Sequence, residues 1–215
     1  ETAAIQAGRD IPTLGDVQGT LFLHNQSGWF DFSGPEATFA LPTLFPMDWT
    51  AHQVSGRLAW AREPEGLTIL GRNLRVAGTN QDVRGELLLD LPRERQQGLQ
   101  IELKASADRR ALPGLLPTDL DRAVSDFLLK SLQVVSINHG RIHYSGPLGP
   151  TNPVNRRELV MDFPVTQLTF QPLAEWPALI TETGRVRWSN QRARVDLTQT
   201  DFGGLAVSAV TAQQD

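Results

Sequence analysis

The sequence predicts a mainly β fold, a long antiparallel sheet with one short amphipathic helix near 118–132. Two observations carry the sheet and a third carries the helix. Apolar residues recur at every second position through most of the chain, the period of a strand with one buried face. Clusters of Gly, Pro, Asn and Ser interrupt that alternation at short intervals, and short connections join antiparallel neighbours. Between Leu116 and Leu132 the apolar spacing turns helical.

In chain order, strands are expected around Leu21 and Leu23, Phe30 and Phe32, Leu58 and Trp60, Leu67 and Ile69, and Leu87, Leu89 and Leu91. The clearest follows in "GLQIELKASA", with Leu99, Ile101, Leu103 and Ala105 on one face and Gln100, Glu102, Lys104 and Ser106 on the other. Later strands centre on Ile142 and Tyr144, Leu168 and Phe170, Val186 and Trp188, Val195 and Leu197, and Leu205 and Val207. Turns are expected at "NQSG", "EPEG", "GPLGPTNP", "SNQ" and "FGG". The helix places Leu120, Val124, Phe127 and Leu128 on one stripe, with Thr118 as N-cap and Asp119 and Asp121 in the electropositive first turn. Shorter helical turns are expected near 41–47 and 172–178, where Pro and bulky apolar residues cluster. Pro172 and Pro177 bracket an elbow around Trp176 that should interrupt the ladder.

A loose internal repeat runs through this pattern. "VSGRLAWAREPEGLTILGRNLRV" from Val54 compares with "TETGRVRWSNQRARVDLTQTDFGGLAV" from Thr181. Each has Gly-Arg, two alternating apolar residues ending in Trp, a turn, and another strand. The chain reads as one segment, 1–215, with loose units at about 14–110 and 111–215. Roughly ten strands would span about 45 Å, whereas a helix is only about 10 Å across. The helix covers about two strands, so the remaining apolar face must meet a second sheet, the same sheet curled on itself, or a ligand. Periodicity alone leaves a sandwich and a curled trough both open.

The 215 residues are 40% hydrophobic and 20% charged, the balance of a folded domain, and the formal net charge of -4 does not suit a nucleic-acid partner. Without cysteine there are no disulfides, thiolate metal sites or cysteine nucleophile. No apolar run reaches the roughly 18 residues of a membrane-spanning helix. Glu1 and Asp215 look like cut ends, so a segment of a longer protein is expected.

Reactive groups are sparse. His139 and His143 in "NHGRIH" lie four apart, but on a strand that is about 13 Å, too far to share one metal ion. No catalytic carboxylate pair, nucleophile motif or phosphate-binding loop stands out, so no enzyme, cofactor or metal site is expected. Arg185, Arg187, Arg192 and Arg194 should share one polar face, solvated and balanced by Glu182 and Asp196, though an anionic partner could use them. Trp29, Trp49, Trp60, Trp176 and Trp188 read as core or rim aromatics more simply than as a sugar platform.

The run from "LPTDLDRAVSDFLLKSL" through "HGRIHYSGPL" to "ELVMDFPVTQLTFQPLAEWPALITETGRVRWSNQRARVDL" resembles the large AsmA-like proteins of Gram-negative bacteria, in their YhdP branch. Leu116–Pro117, Gly146–Pro147–Leu148, Phe170, Trp176–Pro177–Ala178–Leu179, Gly184 and Trp188 occupy the positions that carry the likeness, and "LQVVSINHG" departs from it by delaying a glycine after the helix. The resemblance implies a curled, groove-forming, repeat-built sheet in a bridge-like lipid-transfer protein. Such a protein is anchored in the inner membrane, crosses the periplasm and carries glycerophospholipid towards the outer membrane. Its implied partners are phospholipid acyl chains, neighbouring segments of the same longer chain, and the two membranes through other segments. With the alternation, it implies a groove lined by Leu58, Trp60, Leu67, Ile69, Leu87, Leu89, Leu91, Leu99, Ile101 and Leu103. Ile142, Leu168, Phe170, Val186, Trp188, Val195 and Leu197 continue that lining. The competing reading is a β-sandwich binding or scaffold module of the cell envelope.

Overall fold

The computed structural model describes residues 3–5, 13–40, 44–45, 48–94, 96–116, 129–147, 157–171, 173, 175–189 and 192–214. Among them, fourteen strands form one antiparallel sheet. The first six are β1 (Ala3–Ile5), β2 (Thr13–His24), β3 (Ser27–Gly34), β4 (Ala37–Ala40), β5 (Trp49–Ala51) and β6 (Gln53–Glu63). β7 (Gly66–Ala77), β8 (Gln81–Pro92) and β9 (Gly98–Asp108) lead to a single helical turn, α1 (Leu112–Leu115). β10 (Leu132–Pro147), β11 (Glu158–Phe170), β12 (Leu179–Ser189), β13 (Arg192–Phe202) and β14 (Leu205–Gln214) complete the chain.

The topology is a meander. β4 pairs with the start of β2 where β3 leaves off, and β5 and β6 follow one another along β4 and β3. From β6 to β14 every strand pairs with the next one in sequence. Left-handed residues close two of the tight hairpins, Asn25 at φ 50° between β2 and β3 and Gly203–Gly204 between β13 and β14. The two ends of the strand order are not paired with each other, so the sheet is not a barrel. A two-sheet sandwich is not what forms.

Several strands change face part-way along. Gln167 in β11 and Gln199 in β13 adopt left-handed φ values of 53° and 51°. Alternation therefore slips by one residue: Val165 and Leu168 are both buried, as are Leu197 and Thr200. The registers of β11, β12 and β13 run through without a shift, so the strands slip together and the sheet acquires a crease. Threonines line it. The Thr181 hydroxyl reaches the Thr198 carbonyl at 2.5 Å, and the Thr183 and Thr198 hydroxyls lie 3.1 Å apart. Bulges at Asn73 in β7 and His139 in β10, both left-handed, bend the other half of the sheet.

The concave face is curled tightly enough for one helical turn to meet distant strands. The Trp49 indole N–H in β5 donates to the Gly114 carbonyl of α1 at 3.1 Å, a buried bond. Leu112 and Leu116 line a small cavity together with Met161, Trp188 and Ala193 of β11, β12 and β13. On a flat sheet β5 and β12 would lie about 29 Å apart, whereas one helical turn is about 6 Å long. The sheet therefore wraps around this crosspiece, where Phe45 and Phe39 pack against Trp49 and Leu44 is buried in the same core.

Most of the helix expected near 118–132 lies outside the described residues; 129–131, at its end, are helical. Most of the turn expected near 41–47 is likewise outside them. α1 itself is not anticipated by the sequence reading. The described residues between 171 and 178 are outside any strand. Gln171 Nε2 donates to the Trp176 carbonyl at 3.0 Å, and the Trp176 N–H donates to the Leu173 carbonyl at 3.1 Å. Trp176 is 51% exposed. About half of its surface stays in water, so Trp176→Ala should cost about 1–2 kcal/mol, less than loss of a core tryptophan. The amides of Glu175, Trp176 and Ala178 should exchange faster than those of β11 and β12; protection equal to the strands would contradict the elbow.

Candidate functional site

The concave face is the candidate site, and its rows can be followed across the ladder. One row runs Phe30, Leu58, Gly71, Leu87, Ile101, Tyr144 and Leu159. The next runs Gly28, Trp60, Ile69, Leu89 and Leu99. A third links Leu103, Ile142, Met161, Trp188 and Ala193. Glycine at position 28 is required by the close approach of the Trp60 ring, since a Cβ there would lie 2.5 Å from it.

Burial along these rows is uneven. Leu87, Leu89, Leu99, Ile101, Leu103, Ile142, Leu168, Phe170, Trp188, Val195 and Leu197 are buried. The cavities beneath the crosspiece are only about 20 Å³ beside Ile101 and about 30 Å³ beside Trp188. Each has room for a water or two and not for an acyl chain, so the centre of the trough is largely filled by the protein's own side chains. Towards the hairpins that end β2, β6 and β8 the same face opens. Leu58, Trp60, Leu67, Ile69 and Leu91 are half-buried, and Leu21 and Leu23 on β2 are 56% and 66% exposed. This open lane offers mainly apolar contact.

The opposite face is charged, and many of its charges are paired. Arg57 makes a two-point contact with Asp31, at 2.5 and 2.6 Å, and its guanidinium stacks over Trp29 at 4.8 Å. The hydrogen bond from Arg57 holds the Asp31 carboxyl below its usual range. Arg185 repeats the arrangement with Asp162, at 2.5 Å through both nitrogens. Asp82 is shared by Arg84 at 2.8 Å and Arg75 at 3.0 Å. The Arg84 hydrogen bond, helped by Arg75 and opposed by partial burial, lowers its pKa to about 2. His143 contacts Glu102 on the same face.

A family model described as YhdP protein matches residues 1–215. The chain belongs to the YhdP family. No curated protein and no solved structure matches it. The YhdP family is one of lipid-transport proteins in the bacterial envelope, and the AsmA-like resemblance agrees with it. No helix among the described residues is long and apolar enough to cross a membrane.

Within this YhdP-family fold, all the residues proposed from sequence to line a groove fall on the concave face. They divide into the buried set, the half-buried lane, and Val186, which is half-buried between Phe163 and Val195. The sequence reading missed the contribution of Trp49, Phe45 and Leu44 to that face, and of α1. Of the two carboxylates expected to balance the arginine face, Asp196 takes Arg194 and Arg187; Arg185 is held by Asp162, which the sequence reading did not name. A signal was present, because "FDF" at Asp31 and "MDF" at Asp162 each precede a Gly-Arg strand. Of the tryptophans, Trp49 and Trp188 are core, Trp60 lies on the rim, Trp29 is on the charged face and Trp176 is exposed.

Asp82→Asn should remove about 1 kcal/mol at low salt, a value discounted for the partial exposure of the pair. It should remove less near about 1 M salt, where the repulsion left between Arg75 and Arg84 is screened. Because the folded pKa lies below the ordinary 3.8, this contribution is present above about 3.8 and is lost as pH falls through about 2. Denaturant melts of both proteins at pH 7 and pH 2 measure the difference; a gap that persists at pH 2 would point to another cause.

Proposed function

We propose that this chain is a segment of an envelope-spanning lipid conduit, carrying glycerophospholipid between inner and outer membranes with acyl chains on the concave face. The observation that carries the reading is an apolar face running without interruption across an unclosed sheet, inside a family of lipid-transport proteins. Acyl chains would lie along Leu21, Leu23, Phe30, Leu58, Trp60 and Ile69, where the face is open, and each CH₂ withdrawn from water there contributes about 0.8 kcal/mol. The buried set from Leu87 to Leu197 would form the floor on which that lane rests. The two loose units, about 14–110 and 111–215, would be successive modules of one path in the periplasm, continued by neighbouring segments of a longer chain anchored in the inner membrane.

Photo-crosslinking tests this directly. A photoreactive residue at Ile69 or Trp60 should capture phospholipid in cells, and one at Thr68 or Ala61, pointing to the other face, should not. Equal capture from both faces, or none from Ile69 and Trp60, would overturn the conduit.

A further inference from the structure

The convex face holds a charge pattern that ordinary sheet stability does not explain. Arg75, Arg84, Lys104 and Arg141 lie directly opposite one another on β7, β8, β9 and β10, a row of four cations. Like charges placed opposite in a ladder are destabilising. Asp82 compensates Arg75 and Arg84. Lys104 and Arg141 have no ion-pair partner among the described residues. Two residues further along β8 and β9, about 7 Å away, runs an acidic pair, Glu86 opposite Glu102. Glu102 is engaged by His143; Glu86 is not paired among the described residues. The two rows therefore leave two cations and one carboxylate uncompensated, instead of neutralising each other.

These groups line one concavity of about 1000 Å³. Its floor is β8 and β9, and the bulges at Asn73 and His139 form two of its walls. From Arg84 to Arg141 the row extends about 10 Å, wider than one phosphate. The neighbouring acids disfavour a simple polyanion.

We propose that this concavity binds a zwitterion of the phosphoethanolamine type, its phosphate on Lys104 and Arg141 and its ammonium on Glu86 and the edge of Glu102. The charge-assisted bonds available to each end are of the strong kind. The site lies on the face opposite the acyl lane and does not rest on the conduit reading, so either can fail alone. The ligand could be a free headgroup or the headgroup of a membrane lipid.

Glycerophosphoethanolamine is the probe, titrated into the protein while backbone amide shifts of Gly85, Glu102, Lys104 and Arg141 are followed. Saturable shifts with a Kd in the millimolar range or tighter are expected. Glycerol 3-phosphate, which lacks the ammonium, should bind at least about tenfold more weakly. The pair Lys104→Gln and Arg141→Gln should lower affinity for the probe about tenfold or more, and Glu86→Gln should narrow its advantage over glycerol 3-phosphate. These substitutions relieve repulsion on an exposed face, so melting should hold or rise. Co-sedimentation with phosphatidylethanolamine vesicles, lost with Lys104→Gln and Arg141→Gln, would identify the membrane lipid as the source; binding of the soluble probe alone would identify the free headgroup. Either result upholds the site. Equal binding of the two phosphates, shifts indifferent to the substitutions, or no saturable shift would overturn it.

Discussion

Ile101→Glu is expected to unfold the protein. Ile101 is 1% exposed at the centre of β9, between Leu87 and Tyr144 in its row, and borders a cavity of about 20 Å³. A carboxylate there would sit between Leu87 and Tyr144, cut off from bulk water. Burying an unpaired charge costs several kcal/mol, comparable to the whole stability of a domain. In a trough open along its whole length the same substitution would leave the fold intact and interrupt only the apolar path. The crosspiece of Trp49 and α1 decides between the two outcomes at this position. Circular dichroism and a thermal melt measure it, with Ile101→Val, which should cost about 1 kcal/mol, as the control for size. A cooperative melt of Ile101→Glu within a few degrees of the parent would show that the centre of the trough admits water. The corresponding change in the open lane, Ile69→Glu, should leave the protein folded, because that side chain is only half-buried and its charge can turn to solvent.

Trp49→Ala is expected to cost about 3–5 kcal/mol. The indole is 4% exposed, packs against Phe45 at 4.8 Å and Phe39 at 6.0 Å, and donates its N–H to Gly114. Removing it empties the place where β5 meets α1 and releases the two halves of the curl from each other. Trp49→Phe keeps most of the apolar area but leaves the Gly114 carbonyl without its donor, so it should cost about 1–3 kcal/mol. Denaturant melts give the two energies. Small-angle scattering at low denaturant gives the shape: Trp49→Ala should broaden the particle if the crosspiece maintains the curl. An alanine variant as stable as the phenylalanine one would show that ring packing contributes little.

The strands were legible from sequence because a half-buried strand writes its face into every second residue. Leu99, Ile101, Leu103 and Ala105 spell out β9, and the same rule places the lining residues on one face of the sheet. Its curl could not be read that way, since alternation reports which side is apolar and not what that side meets. The crease escaped because Gln167 and Gln199 carry no compositional mark of a left-handed backbone; Gly or Asn would have given one. Leu168 and Phe170 lie together beyond the slip and are both buried. α1 spans too few residues for a helical period to emerge. Trp49, between Asp48 and Thr50 at the head of a three-residue strand, offers no pattern that reveals its bond to a residue 65 positions away.

The meander bears on how the chain assembles. From β6 onward each strand meets the next one along, so most hairpins can be added in the order of synthesis, with local loops to close. A sandwich of the same length would have to bring distant strands together before any reward, and would expose unpaired edges while it searched. Here the principal long-distance event is the joining of Trp49 to Gly114. The flat ladder can therefore grow first and acquire its curvature late, once β9 and α1 have emerged, when the indole finds its carbonyl.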